Sequence, residues 1–168
     1  MNNVELFITG EPKGQPRPRA FARKMGSKYV ARMYDSDIAD DWKKAVTIGV
    51  LSAIPQAYAS DDHPFDVVLR FSLPRPQYMR STSGAIKERY RDTIPITKPD
   101  VDNLAKLVLD CITKSGRLWR DDSQVASLYV EKRYVGTSHP GITEENTGVR
   151  ISIAASPQCI GSTLESQR

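Results

Sequence analysis

Two short acidic segments contain the residues whose types and spacing could do chemistry. Asp100 and Asp102 stand on either side of Val101, and the segment Trp119–Asp122 ends in two adjacent aspartates. In an extended stretch the first two carboxylates would point to one side while Val101 points into the core. Because they would repel each other, a helix N-terminus, Lys106 or a bound cation must offset the repulsion. Mg²⁺ prefers oxygen ligands and keeps several waters, so the pattern suits a magnesium ion and a phosphate.

A purely structural interpretation of the first segment is also open. Asp102 would then be the N-cap of a helix, and Lys106 would be its weak ion-pair partner four residues later. This interpretation does not account for Asp100 or for the pair Asp121 and Asp122. From the residues alone, the two interpretations stay side by side.

Other catalytic patterns are missing from the sequence. It contains no P-loop, no Gly-x-Ser-x-Gly and no His-Glu-x-x-His. His63 and His139 each precede a proline and have no ligand partner at helical spacing, which favours ordinary loop positions. Nucleases of the Pro-Asp…Asp/Glu-x-Lys type need an acid two residues before a lysine on a later strand, and the stretch 131–133 does not supply it.

The acidic segments flank a predicted helix from about Asn103 to Lys114. Its apolar residues recur at helical spacing and form one face, which consists of Leu104, Leu107, Val108, Cys111 and Ile112. Pro99 disfavours helix at the residue before it, and Gly116 suits the C-terminal end. We therefore expect the first acids at a loop-to-helix transition and Cys111 in the core.

The other segments predict a mixture of strands and helix. A second helix is expected from a cap at residues 35–37 to about Ser52, with one face formed by Ile38, Trp42, Ala45, Val46 and Gly49. Residues 10–19 are too rich in Gly and Pro for regular structure, and residues 77–99 predict a loop or a weak helix. Strands are predicted at Val4–Thr9, Tyr29–Tyr34, Asp66–Leu73, Val125–Val135 and Val149–Ala154.

The composition limits the class of protein. The chain has 168 residues, 39% of them hydrophobic and 26% charged, which favours one compact soluble domain. We assign residues 1–160 to this domain and expect 161–168 to be a polar, disordered tail. No apolar run approaches the ~18–20 residues of a membrane span, and Glu5 and Glu11 argue against a signal peptide. The two distant cysteines, Cys111 and Cys159, indicate a reducing, cytoplasmic location.

Positive charge is concentrated in two segments. The net charge is only +4, yet residues 13–32 contain seven bases and no acid, and residues 70–98 contain seven bases and two acids. Such blocks suit phosphate contacts, although either could equally be a solvated loop surface. The nucleic-acid-binding candidates within them are Arg17, Arg19, Arg23, Lys24, Lys28, Arg32, Arg75 and Arg80.

The segment Lys98–Tyr134 resembles the signature of the RusA-like Holliday junction resolvases of bacteria and their prophages. The resemblance rests on Pro-Asp-Val-Asp-Asn-Leu-Ala-Lys followed by Asp-Asp-Ser-Gln-Val, and extends more loosely to the early Gly-Gln-Pro-Arg-Pro-Arg. It implies an α/β (α+β) fold: one domain with a mixed sheet of four to five strands and two main helices. It also implies a homodimeric, Mg²⁺-dependent endonuclease, with Mn²⁺ as a substitute metal, that nicks four-way DNA junctions symmetrically in recombination and repair.

The resemblance also implies residue roles. The family's essential acids match Asp100, Asp102 and Asp122, which would be catalytic and hold the metal, and its essential lysine matches Lys106. The turn before the second segment is one residue longer than in some relatives, which leaves Asp121 as an alternative to Asp122. In an extended chain only one of that pair would reach the metal.

Two other functions stay open beside the junction endonuclease. The chain could be a non-catalytic DNA-binding module whose acids are structural and whose basic segments bind. It could also be another Mg²⁺-dependent phosphoryl-transfer enzyme that acts on nucleotides. Cleavage of a synthetic junction, a duplex and free nucleotides, with Mg²⁺ and with EDTA, separates the three.

Overall fold

The computed structural model describes residues 3–16, 19–25, 28–34, 37–54, 63–137 and 146–156. Within these ranges the helices are α1 (Asp40–Ala53) and α2 (Val101–Ser115). The strands are β1 (Val4–Thr9), β2 (Arg19–Met25), β3 (Lys28–Tyr34), β4 (Phe65–Leu73), β5 (Val125–Tyr134) and β6 (Gly148–Ala155). Short 3₁₀ turns lie at Asp37–Ala39, Gln77–Met79, Glu88–Tyr90 and Asp122–Gln124.

Four of the strands form a mixed sheet in the order β1-β6-β4-β5. β6 is antiparallel to both of its neighbours, whereas β4 and β5 are parallel. β2 and β3 form a separate antiparallel hairpin. One mixed four-stranded sheet with two helices confirms the predicted α+β fold.

The parallel pairing of β4 and β5 fixes the path of the chain between them. Parallel neighbours cannot be joined by a tight turn, so residues 74–124 must travel back along the sheet before β5 begins. Helix α2 makes this return, and it packs against both β5 and α1. Its N-terminus therefore lies at the carboxyl end of β4, and its C-terminus lies near the amino ends of β4 and β5.

The core lies between the sheet and the two helices. All five residues of the predicted α2 face are buried, so the assignment of Cys111 to the core is confirmed. Burial raises the pKa of its thiol. In α1, Trp42 and Val46 are buried as predicted, and Gly49 lets Ile8 of β1 approach closely. Ile38 is instead 77% exposed, because it belongs to the 3₁₀ turn before α1 and falls out of the helical register.

Several predicted boundaries are corrected. Helix α2 begins at Val101, two residues earlier than predicted, and Val101 is 38% exposed because it is helical rather than part of an extended stretch that alternates into the core. Residues 77–99 contain 3₁₀ turns and loop but no α-helix. Strand β2 was not predicted, while the strands predicted at β1, β3, β4, β5 and β6 are confirmed. Residues 161–168 lie outside the described residues.

In the described ranges, no helix combines the length and the apolar character needed to cross a lipid bilayer.

Candidate active site and DNA-binding surface

The start of α2 presents two acids that the fold does not use. Asp100 occupies the N-cap position with an extended backbone, and its carbonyl accepts a 3.0 Å hydrogen bond from the amide of Leu104. Its carboxylate makes no capping hydrogen bond. The structural interpretation, with Asp102 as the N-cap, is therefore wrong: Asp102 lies in the first helical turn. Asp100 is half-buried and Asp102 is exposed, which leaves both carboxylates accessible.

Lys106 lies one helical turn after Asp102 and is exposed. Residues four apart share one face of a helix, so the ammonium and this carboxylate project from the same side of α2. Within the described ranges, no hydrogen bond or ion pair involves the side chains of Asp100, Asp102 or Lys106. The positive end of the helix dipole favours an anionic group at this position.

The second acidic segment forms a tight turn that separates the roles of its two aspartates. The Asp121 carboxylate accepts a 2.9 Å hydrogen bond from the amide of Ser123, and the hydrogen bonds from Ser123 lower its pKa. Asp122 is exposed at the first position of the 3₁₀ turn. The turn is anchored by Gln124, which accepts from the Arg120 amide and donates to the His63 carbonyl. Asp121 is thus a structural cap.

The two acidic segments lie at opposite ends of α2. The helix has 15 residues, which span about 22 Å at ~1.5 Å per residue. Asp100 precedes its first residue, whereas the turn with Asp122 follows its C-terminus and sits beside His63, just before β4. Consistently, the described residues include no group of three His, Cys, Asp or Glu side chains that could hold a metal ion. A cage of Asp100, Asp102 and Asp122 from one chain is therefore not formed, because the helix between them is too long.

Mg²⁺ does not require three protein carboxylates. In sites that act on phosphates it is bound by one or two carboxylates together with waters and substrate oxygens. Asp100 and Asp102 both lie at the start of α2, are both accessible and offer oxygen donors only. The start of α2 therefore fits a magnesium ion, although Asp122 of the same chain does not join it.

The loop before Asp100 is anchored to the sheet by Lys132 of β5. Its ammonium donates hydrogen bonds to the carbonyls of Thr97 (2.7 Å) and Pro99 (2.8 Å). Pro99 directly precedes Asp100, so these bonds set the position of the first acid. Lys132 was not among the predicted site residues, because only the fold brings a lysine on β5 next to a loop more than thirty positions earlier.

A cleft of about 680 Å³ opens beside Asp100 at the start of α2. One wall is the segment 11–16, and the other contains Lys98, Pro99, Asp100 and Asn103. The walls are joined by a 3.0 Å hydrogen bond from the Gln15 amide to the Asn103 carbonyl. Gly14 allows this approach, since a side chain there would lie 3.1 Å from Cβ of Asn103. The Gly-Gln-Pro string at 14–16 was the available sequence signal, but it gave no reason to pair this segment with α2.

The structure places the predicted DNA-binding residues in different environments, and one of them is buried. The side chain of Arg75 is buried and donates to the carbonyls of Tyr90 (2.6 Å), Arg91 (2.7 Å) and Val135 (2.8 Å) and to the Thr137 hydroxyl (3.0 Å). Burial lowers the pKa of its guanidinium, and the nearby positive charge of Arg80 lowers it further. Because its donors are used inside the protein, Arg75 is a structural residue and not a DNA contact.

The remaining candidates divide between a turn and the hairpin. Arg80 donates to the Gly84 carbonyl in an exposed turn. The hairpin register puts the positions of Arg19, Arg23, Lys28 and Arg32 on one side of the β2–β3 ribbon and the position of Lys24 on the other. Arg17 lies outside the described residues. The hairpin thus aligns four basic positions along one side.

The chain is similar in sequence to known proteins over most of its length. A family model described as Endodeoxyribonuclease RusA matches residues 9–153, a range that includes the cleft, α2 and the turn with Asp122. The chain is also 31% identical over 136 residues to YqaN of Bacillus subtilis (strain 168), described as an uncharacterized protein. That alignment covers 80% of this chain and 89% of the relative. The resemblance inferred from residues 98–134 is confirmed: the chain belongs to the RusA endodeoxyribonuclease family.

Proposed function

We propose that this protein is a Mg²⁺-dependent endonuclease that resolves four-way DNA junctions by paired nicks. The observation that carries the proposal is the pair Asp100 and Asp102, whose carboxylates the fold leaves unused at the start of α2 beside an open cleft. Membership in an endodeoxyribonuclease family supports hydrolysis of DNA. The expected setting is recombination and repair in the cytoplasm of a bacterium, on chromosomal or phage DNA.

Asp100 and Asp102 would hold the metal, with Mn²⁺ as a substitute for Mg²⁺. When bound, the ion polarises the scissile phosphate and lowers the pKa of a bound water. Lys106 projects from the same side of α2, and its ammonium either offsets the negative charge that develops on the phosphate or positions the attacking water. Lys132 holds the loop before Asp100 in place, so the acids meet the substrate in a fixed geometry.

The basic hairpin and the two-fold symmetry of a four-way junction are the reasons for proposing a branched DNA substrate. Four basic positions on one side of β2–β3 suit a track for phosphates, and phosphate contacts recognise shape and charge rather than base sequence. A four-way junction has approximate two-fold symmetry, which a two-fold dimer would match with one site for each of two strands. Affinity should then fall steeply with salt, by a log–log slope of about 0.9 for each phosphate neutralised.

The test compares a synthetic four-way junction, a linear duplex and free nucleotides, each with Mg²⁺ and with EDTA. We expect symmetric nicks only in the junction, and only in the reactions that contain Mg²⁺. Asp100→Asn and Asp102→Asn should bind the junction with wild-type affinity but not cut it. Asp41→Asn, which changes an exposed carboxylate in the first turn of α1, is the matched control and should cut normally.

The other outcomes assign the other functions. Junction binding without cleavage by the wild-type protein under any divalent metal would indicate a DNA-binding module. Turnover of nucleotides but not of junctions would indicate a different phosphoryl-transfer enzyme. Cleavage at the wild-type rate by either variant would remove that aspartate from the metal site.

A further inference from the structure

The loop that leads into Asp100 presents an aliphatic side chain to solvent. Ile96 is 93% exposed, the highest value among the large hydrophobic side chains of the described ranges, and Ile94 is 51% exposed. Pro95 between them is buried. The two isoleucines therefore face away from the protein while the proline packs against it. Single exposed aliphatic residues are common on protein surfaces, so the surroundings of Ile96 must decide whether it has a role.

The loop that carries Ile96 is anchored on both sides. At its start, the buried guanidinium of Arg75 donates to the carbonyls of residues 90 and 91. At its end, the ammonium of Lys132 donates to the carbonyls of residues 97 and 99. Ile96 thus stands between a buried proline and an anchored carbonyl. Because the loop is ordered by these contacts, holding the side chain against a ligand costs little additional conformational entropy.

Ile96 also lies close to the proposed metal-binding acids. It stands four residues before Asp100, and a chain of that length spans at most about 14 Å. Successive nucleotides of one DNA strand are ~3.4 Å apart, so the side chain would meet bases within about four nucleotides of a phosphate bound at Asp100.

The surroundings of Ile96 favour DNA over a protein as its partner. Residues 87–98 contain four bases and two acids, and the excess of positive charge suits a polyanion. Arg89 and Lys98 are among the exposed bases. A specific protein–protein contact buries about 800 Å² on each partner, far more than two aliphatic side chains provide.

An aliphatic side chain gains little from the outside of a linear duplex, where it meets charged phosphates and sugars. It gains when it covers the apolar face of a base, and isoleucine is one of the residues that proteins insert between base steps. Separating stacked base pairs within a duplex is costly. At a branch point the stacking is already interrupted, so base faces are reached at a lower cost.

We propose that Ile96 packs against the base pairs at the branch point of a four-way junction and thereby makes binding selective for junctions over linear duplex. The inference rests on the proposed function for its substrate, but it concerns binding and does not require cleavage. Ile96 should contribute nothing on duplex DNA, because no open base step is present there.

The test uses junctions that carry the fluorescent base 2-aminopurine, with EDTA present so that the DNA stays intact. Wild-type protein should raise the fluorescence when the base lies at the branch point, but not when it lies in the middle of an arm. Ile96→Ala should bind the junction about 10-fold more weakly and give no rise at saturation, with duplex Kd and Tm unchanged. Ile96→Leu, which keeps the aliphatic volume, should restore both signals. Ile48→Ala, at a position on α1 that is 62% exposed, is the matched control and should behave as wild type.

Three results would overturn the proposal. They are a wild-type protein that binds junction and duplex equally, an Ile96→Ala variant with wild-type junction affinity and fluorescence, and an equal loss of affinity for junction and duplex. Sedimentation velocity of the same variant adds a fourth: altered self-association with unchanged DNA binding would make the exposed isoleucines a protein contact.

Cleavage is scored separately, in Mg²⁺. If the fluorescence depends on Ile96 but the wild type cuts no DNA, the branch-point contact stands and the proposed nuclease function fails. If the wild type cuts junctions and Ile96→Ala binds them normally, the nuclease function stands and the contact fails.

Discussion

Replacing Arg75 with methionine should destabilise the protein strongly. Methionine keeps much of the apolar volume but removes every donor, which leaves the carbonyls of Arg91 and Val135 without a partner. The Tyr90 carbonyl keeps its bond from the Thr93 amide, and the Thr137 hydroxyl still donates to the Tyr134 carbonyl. An unsatisfied buried polar group costs roughly 1–3 kcal/mol, and water can reach some of these groups, so we expect a total loss of about 3–5 kcal/mol. For a chain of this size each kcal/mol shifts Tm by about 2–4 °C, which gives a decrease of roughly 6–20 °C.

Thermal unfolding followed by circular dichroism at pH 7 measures this change. Arg80→Met is the matched control, because it removes one exposed bond to a carbonyl and should change stability by less than about 0.5 kcal/mol. Junction affinity of the folded Arg75 variant should equal that of the wild type at low temperature. A variant with the wild-type Tm and much weaker junction binding would refute our reasoning and return Arg75 to the DNA-binding surface.

Two further predictions concern the acidic segments. The hydrogen bonds from Ser123 lower the pKa of Asp121, so its carboxylate adds stability above its ordinary pKa near 3.8 and loses that stability as pH falls through the lowered pKa. The Tm difference between wild type and Asp121→Ala should therefore shrink below pH 4, and Asp121→Ala should still cut junctions. Lys132→Met should lower kcat by about 10–100-fold with junction Kd unchanged. Hydrogen exchange should be faster at the Leu104 amide, which donates to the Asp100 carbonyl, because the loop before Asp100 has lost its anchor. A changed Kd with normal exchange would instead make Lys132 a DNA contact.

Elements with strong periodicity could be predicted from the sequence. The apolar face of α2 and the alternation in β4 follow from local patterns, and both agree with the structure. β2 escaped prediction because its basic sequence carries little of the β-branched signal that marks strands. Ile38 was assigned to the apolar face of α1 because it stands four residues before Trp42, but the helix begins only at Asp40 and Ile38 belongs to the preceding 3₁₀ turn.

The candidate site was harder to predict, because spacing along the chain does not give distance in space. Asp100, Asp102 and Asp122 look close in the sequence, yet fifteen helical residues carry the third acid to the far end of α2. The role of Arg75 was misjudged because three of its four partners are backbone carbonyls, which carry no signature in the sequence. Lys132 was invisible for the same reason.

The hydrogen bond between the Gln15 amide and the Asn103 carbonyl has a practical consequence for mutagenesis of the cleft. Both groups belong to the main chain, so alanine scanning leaves the bond intact and reports nothing about it. A library of side-chain variants would rank Gln15 as dispensable even if the two walls of the cleft separate without this hydrogen bond. Only chemistry that alters the peptide group itself, such as an ester in place of the amide, can reveal how firmly the two walls are joined.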